Sequence, residues 1–504
     1  MEKKRASFVT AGLLLGIFAA AVDNTIVATA MGTIVGDLGN YDQFIWVTAA
    51  YMVAMMAGMP IYGKLSDMYG RKRFFLFGLV VFIVGSALCG LSQSMGQLIA
   101  FRVIQGIGGG ALMPIAFTII FDLFPPEKRG KMTGLLGAVF GLSSVVGPLL
   151  GAFLTDTFSW HWIFYVNLPI GIVSIFFIAK YYKETLEHRK QKIDWAGAFT
   201  LVLAIVCFMF ALELGGGKYA WDSAVIISLI AVAVVSFIIF IFVETKAEEP
   251  IIPFWMFKKR LFAASQALAF IYGATFIILS VFIPIFVQAV YGGSATNAGI
   301  VLMPMVIGTV IGSMISGITQ SKVRFRTLMI FSVFSFLIGM ILLSTMTPDT
   351  TRLVLTIYMF IAGFGVGFSF SLLPTASINN LSPRFRGTAN STNSFLRSFG
   401  MTVGLTIFGT VQTHSFTKRL SEAFGGNSTG FGGGEMNTRE IFTPEGRAKI
   451  PPEVLDKITQ AMSDSITHVF QIAIIPIAIA VVVVFLMGKE RAQTSSTIEM
   501  KESA

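Results

Sequence analysis

Charge is scarce in this sequence. Only 13% of its 504 residues are Asp, Glu, Lys or Arg, about half the ~25% of a soluble domain. Hydrophobic residues make up 54%. No soluble core of this length needs so much apolar material, so an ordinary globular domain is excluded and an all-α polytopic membrane protein is expected. Cysteine is rarer still: Cys89 and Cys207 sit inside apolar runs, without metal or redox spacing, and read as packing residues. The sequence offers no metal cluster, no nucleophile–base pair and no phosphate loop. Its Gly106-Ile107-Gly108-Gly109-Gly110 run falls within a helix and reads as packing. These absences argue against a membrane enzyme and against any bound cofactor. The first apolar run is too long for a signal-peptide core and shows no small-residue cleavage site, so it is expected to stay attached.

What is present is a succession of hydrophobic runs. The length rule of about 17–25 residues divides them into spans near 8–35, 43–63, 74–92, 97–120, 131–154, 161–182, 195–214, 224–244, 261–290, 297–318, 327–346, 353–379, 388–411 and 467–488. An even count of fourteen puts both termini on one side. Basic clusters fall on alternate connections: Lys3-Lys4-Arg5, Lys64 with Arg71-Lys72-Arg73, Lys128 to Lys131, Lys180 to Lys192, Lys246 to Arg260, Lys322 to Arg326, and Arg384 with Arg386. The opposite short loops hold Lys218 and Arg352. This bias predicts cytoplasmic termini. The net charge of +10 is then a topology signal rather than a nucleic-acid footprint, with contact to anionic inner-leaflet lipids as a side effect.

The chain repeats itself. Gly106, Gly108 and Gly110 recur as Gly363, Gly365 and Gly367; Pro126, Arg129 and Gly130 as Pro383, Arg386 and Gly387; Gly147 as Gly404. Every pair is 257 apart (363 − 106 = 257, 404 − 147 = 257). One offset shared by matched places on the helix map argues for duplication. The expected organisation is a six-helix bundle over 1–190, two inserted helices and a cytoplasmic linker over 191–258, and the first five helices of a second bundle over 259–412. An outer loop over 413–466, a last helix over 467–488 and a cytoplasmic tail over 489–504 follow. The loop opens on a flexible run at 425–430. It then offers Pro451-Pro452-Glu453 and Leu455, Ile458, Met462 and Ile466 at helical spacing. That pattern predicts a short amphipathic helix on the outer face, packed there or serving as a lid. Parallel halves around a midplane cavity are a transporter architecture.

Two ionic residues stand out. Asp23 lies in the middle of the first span, and a carboxylate at the bilayer centre costs roughly 2.5–3.5 kcal/mol on insertion scales. It must face protein or a wet cavity, or take up a proton; the alternative is that Asp23-Asn24-Thr25 caps a broken half-helix. Arg102, inside the fourth span, has the same problem and needs a partner. Around them stand four more patterns. Gly63-Lys-Leu-Ser-Asp67-Met-Tyr-Gly70-Arg71-Lys72-Arg73 places Asp67 one helical turn before Arg71. Arg102-Val-Ile-Gln105-Gly106 marks the fourth span. Gly141-Leu-Ser-Ser-Val-Val-Gly147-Pro148-Leu-Leu-Gly151 lets backbones touch and bends the helix. Trp160-His-Trp162-Ile-Phe164-Tyr-Val-Asn167-Leu-Pro169 opens the sixth.

With these signatures in this order, the sequence resembles the fourteen-helix drug:proton antiporter branch of the major facilitator superfamily. The resemblance implies the major facilitator fold, two six-helix bundles plus two inserted helices. It implies export of lipophilic small molecules against protons by a monomer in the cell membrane, driven by the proton gradient. Asp23 would be the proton-linked acid and Arg102 its partner. Gly63, Asp67, Gly70, Arg71 and Arg73, with Asp122 at the end of the fourth helix, would latch the cytoplasmic gate. Gly141, Gly147, Pro148 and Gly151 would form the antiporter hinge. The chain departs from the pattern at Ala30-Met31-Gly32, where the family often has proline, and at Ser321, where the second gate loop should carry an acid.

Candidate cavity residues are Tyr51, Gln105, Gln266, Tyr272, Phe276, Phe370, Asn393 and Arg397. Late acids typical of dication exporters are missing from the spans near 297–318 and 388–411. Arg397 adds a second deep cation, so neutral, zwitterionic or anionic amphiphiles are plausible cargo. The 48 Phe and 24 Met suit broad apolar surfaces. A proton-coupled importer, or an exporter or importer of one endogenous metabolite, would share the fold; the Gly147-Pro148 helix favours export. A channel is disfavoured by the two-half pattern.

Overall fold

A computed structural model describes residues 2–39, 43–184, 192–216, 218–292, 295–424 and 450–492. The run expected at 425–430, Arg189 and Lys190, and the tail beyond 492 lie outside the described residues. In hydrocarbon a segment must satisfy its backbone N–H and C=O groups internally, and the apolar runs do so as helices. There are fourteen long ones among the described residues: α1 Glu2–Leu38, α2 Phe44–Tyr69, α3 Arg71–Gly90, α4 Met95–Leu123, α5 Pro126–Thr157, α6 (a turn Trp162–Tyr165 running on into Asn167–Tyr181), α7 Trp195–Leu214, α8 Ala224–Lys246, α9 Arg260–Ala289, α10 Ala295–Thr319, α11 Phe325–Leu343, α12 Arg352–Ile378, α13 Arg386–Ala423 and α14 Pro452–Leu486.

Twelve of these are long and apolar enough to cross a membrane by length and composition. The two left over are α2 and α13; α2 and the first turns of α13 face protein. Every residue of α13 from Gly387 to Ser394 is buried although most are polar, because neighbouring helices shield it from lipid. The first half of the chain packs as α1–α6 and the second as α9–α14, and they meet along α2 with α13 and α5 with α10. The inserted hairpin α7–α8 lies outside, α7 against α2 with an edge on α13. Both ends of the described chain come to the same face. Arg5 Nε donates to the Tyr181 carbonyl oxygen at 2.7 Å, and Asn380 Nδ2 to Glu490 Oε2 at 2.6 Å.

Duplicated glycines set how closely the helices cross. A Cβ on Gly106 or Gly110 would come within 2.4 and 2.5 Å of α2 carbonyl oxygens, and one on Gly108 within 2.3 Å of an α3 backbone nitrogen. Their counterparts Gly363, Gly367 and Gly365 meet α10 and α11 in the same way, at 2.1, 2.2 and 2.4 Å. Between the halves, Gly63 crosses Gly387 and Gly130 crosses Gly317, backbone on backbone. Both crossings lie on the face that carries the chain ends and the basic loops, and they seal it.

One expectation fails here. The stretch expected as an outer loop with a separate amphipathic helix is instead helical at both ends. α13 runs on to Ala423, and α14 starts at Pro452 and continues unbroken to Leu486. Ile458, Met462 and Ile466 stay in phase with Val469, Ala473 and Ile477, so one buried stripe serves the whole helix. The two extensions are tied by Gln412 to Ser465 (3.2 Å) and Arg419 to Asp464 (3.1 Å). They stand as a pair, and this helix does not lie across the outer face.

The crossings make a direct test. Gly130→Val drives a side chain into the Gly317 carbonyl and should destabilise the fold by about 1–3 kcal/mol, as overpacking does. Gly32→Val, where an added Cβ meets nothing within 4 Å, should leave the melting temperature in detergent unchanged. Equal melting temperatures for the two variants would contradict the crossing.

Candidate functional site

Asp23 sits mid-way along an unbroken α1 and is 0% exposed. The half-helix cap is therefore not its role: its oxygens accept from side chains of other helices. Arg102 Nη1 donates to Oδ2 at 2.5 Å. Gln105 Nε2 donates to Oδ1 at 2.8 Å and Asn167 Nδ2 to the same oxygen at 3.1 Å. Arg102 also donates from Nε to the Val47 carbonyl (3.0 Å) and from Nη1 to Gln105 Oε1 (2.8 Å), while its guanidinium lies 4.1 Å from the centre of the Tyr51 ring. The N-terminal half thus neutralises its deep cation with its own acid. Tyr51 and Gln105, expected to line the cargo cavity, are part of this buried cluster, both 0% exposed. The cause is geometric: residues one turn from Arg102, or under its plane, are taken up by its charge. Asn167 carried no assigned role in the sequence; its place in the aromatic motif was the signal.

A second cluster holds the face with the chain ends closed. Asp67 Oδ1 accepts from the Gly387 N–H at 2.9 Å, and Oδ2 from the Thr388 N–H at 2.7 Å and hydroxyl at 3.1 Å. A carboxylate there caps α13 and meets the positive end of its dipole. Arg71 Nη2 bridges Asp67 Oδ1 (3.2 Å) and the Pro383 carbonyl (2.7 Å), and Arg71 also pairs with Asp122. Asp122 Oδ1 in turn accepts from Arg386 Nη1 at 3.2 Å. Gly70, at φ 111°, supplies the left-handed turn between α2 and α3. Arg73 stays exposed, outside the cluster. Sequence reasoning missed the strap beside it. Glu249, in the linker after α8, joins Lys64 of the first half (2.7 Å) to Arg384 of the second. Its signal was an acid set among basic clusters in a linker between duplicated halves.

The Gly147-Pro148 helix touches the acid's own helix. A Cβ on Gly147 would lie 1.9 Å from Thr25 Oγ1, and one on Gly151 2.2 Å from Thr29 Oγ1, so α5 rests on α1 beside Asp23. Thr25 donates to the Ser143 carbonyl at 3.2 Å across this contact. Gly141 instead faces Val306 of α10, in the other half. In the second half, Asn393 Nδ2 donates to Gln266 Oε1 at 3.3 Å, and Arg397 donates to Ser369 Oγ (3.2 Å) and its carbonyl (3.0 Å). Arg397 stacks 4.4 Å from the Phe370 ring, which Phe276 meets edge-on at 5.7 Å. The Tyr272 hydroxyl bonds Ser332 of α11 at 2.7 Å.

Comparison with known proteins agrees with this arrangement. The family model described as Major Facilitator Superfamily matches residues 13–405. This chain belongs to that superfamily. Such facilitators are multi-pass membrane transporters, not a class of enzymes. This facilitator is 68% identical to Multidrug resistance protein 3 of Bacillus subtilis (strain 168), over 99% of this chain and 98% of that protein. It is 36% identical to the Multidrug transporter protein MdtP of the same organism, over 95% and 92%. Among solved structures, the proton:xylose symporter XylE superposes with TM-score 0.63 at 12% identity, covering 99% of this chain and 100% of that one; this likeness is one of fold.

Two outcomes follow from the electrostatics. Removing one partner of a buried ion pair strands the other at a cost of about 3–5 kcal/mol. Arg102→Gln should lose stability on that scale, and Asp23→Asn in the same chain should restore much of it in detergent unfolding. Additive losses would mean the two do not pair. Glu249 is outside the spans. Burial pushes its carboxyl up, but the hydrogen bonds and charges of Lys64 and Arg384 outweigh this and hold it below its ordinary 4.5. A depressed pKa stabilises above the unfolded value, so the strap is complete above about pH 5 and fades as pH falls through the lowered value. Glu249→Gln should flatten that acid limb of the stability–pH curve.

Proposed function

We propose that this chain exports lipophilic, drug-like molecules across the cell membrane in exchange for protons, as a monomer with both termini in the cytoplasm. The orientation rests on the basic loops, which gather on the sealed face. Export of drugs accords with the names of the two Bacillus relatives. The observation that carries proton coupling is the Asp23 carboxylate, held in a spanning helix by one cation and two neutral amides.

In this orientation the structure is closed to the cytoplasm. The outer half of α1 presents Ala28, Thr29, Gly32, Thr33 and Gly36 as an open stripe of small and polar residues, suited to water rather than lipid. A proton entering along it neutralises Asp23 and frees Arg102 from its anion. Because Thr25 and Thr29 rest on Gly147 and Gly151, movement at Asp23 is passed to α5, which meets the second half along α10. The halves then part at Asp67, Arg71 and Asp122, and cargo enters from the cytoplasm or inner leaflet. Release of the proton inward re-forms the pair and resets the cycle. Proton and cargo bias one two-state equilibrium, and a proton moving down 100 mV supplies about 2.3 kcal/mol.

Asp23→Asn should abolish export driven by a pH gradient in inverted vesicles while the protein remains in the membrane. Undiminished export would remove Asp23 from the mechanism. Asp67→Asn should slow turnover with little change in cargo affinity; normal turnover with altered affinity would place Asp67 in the cargo site instead.

A further inference from the structure

The two halves treat their deep arginines differently. Arg102 has Asp23. Arg397 has no carboxylate partner among the described residues. It is 6% exposed and sits roughly 16 Å along α13 from Arg386 at about 1.5 Å per residue, half-way through a ~30 Å hydrocarbon core. Its acceptors are the hydroxyl and carbonyl oxygens of Ser369, which offset a buried charge less than an anion would. A second donor waits nearby. Gln266 is 1% exposed and its Nε2 has no acceptor, while its Oε1 is taken by Asn393, one helical turn before Arg397. An unused amide donor beside a cation, with no acid among the described residues, describes a site short of one negative group. Apolar walls adjoin it: Phe370 under the guanidinium and Phe276 against Phe370. Phe370 also borders Gly137 of α5, where an added Cβ would lie 3.1 Å from its own, so the cluster lies at the seam where the halves separate.

We propose that Arg397, seconded by Gln266, is the recognition point for a carboxylate on the cargo, so that the transporter prefers aromatic amphiphiles bearing a carboxylate, zwitterions included, over their esters. The missing counter-ion arrives with the cargo, the aromatic part lying along Phe370 and Phe276. This deepens the export reading and rests on it for direction of transport, though not for binding.

The test uses the full-length purified protein in nanodiscs with 1-pyrenebutyrate and its methyl ester, followed by fluorescence. A charge-assisted contact of this kind predicts at least about tenfold tighter binding of the acid than of the ester. Arg397→Gln should erase that preference by weakening the acid alone. Gln266→Leu should reduce it. Arg397→Lys keeps the charge without the planar fork and should retain part of it, which covers the case in which Arg397→Gln does not fold. Equal binding of acid and ester by the native chain, or a preference that survives loss of Arg397, overturns the proposal. So does displacement of pyrenebutyrate on replacing phosphatidylcholine by phosphatidylglycerol, which would make a lipid headgroup the occupant. Asp23→Asn should keep the acid preference and lose pH-driven export; an intact preference without any proton-driven export in the native chain would sink the exchange reading alone.

Discussion

Hydrocarbon supplies neither water nor counter-ions, so a charge held inside it must be matched by the chain or by something that visits. That constraint orders this structure. Asp23 and Arg102 answer each other across α1 and α4, with Gln105, Asn167 and the Tyr51 ring filling the remaining positions around them. The pair makes a proton consequential. Adding one to Asp23 removes the anion that Arg102 was buried against, and the energetic balance of the whole half changes at once.

In the proposed cycle the rest of the architecture carries that change to the cluster that closes the far face. Glycines at a common offset let α5 rest on α1 side chains and α13 on the α9 backbone, in contacts too tight for any other residue. Such close packing moves as a body rather than deforming. At the far end the two halves are fastened by an acid capping a helix across the seam, by a chain of alternating charges through Arg71, Asp122 and Arg386, and by Glu249 reaching to both halves. The fastening is lopsided. On the α2–α13 side it is ionic; on the α5–α10 side, where Ser321 stands in place of an acid, it is a glycine–glycine crossing supported by Thr133 and Ser371 hydroxyls 3.1 Å apart. The inserted hairpin contributes its linker to the ionic side, which ties the two extra helices to the cluster that closes this face.

Legibility followed the physics of each feature. Most spans were readable because lipid enforces long apolar runs; α2 and α13 fall short of that measure, since protein faces α2 and the first turns of α13. Asp23, Arg102, Asp67 and Arg71 were readable because ions at such places are costly or pair at fixed helical spacing, whereas Asp122 came only with the family resemblance. That Tyr51 lies under the Arg102 guanidinium was not legible, because the two stand on different helices and meet only in the packed bundle. Glu249 and Arg384 were invisible as a pair, lying 135 residues apart in segments that separately look like ordinary loops.

By itself the sequence determined that this is a helical membrane protein built from a duplicated half, with basic loops on one side and a few ions it could not leave unmatched. Those follow from local composition and period, since solvent and helix geometry act on each segment alone. Tertiary structure decided which ions meet, which face is shut, that α14 is one helix through Pro452–Leu486, and that Arg397 meets no anion among the described residues. Such facts depend on how distant segments are brought together, and nothing within a single span records its neighbours.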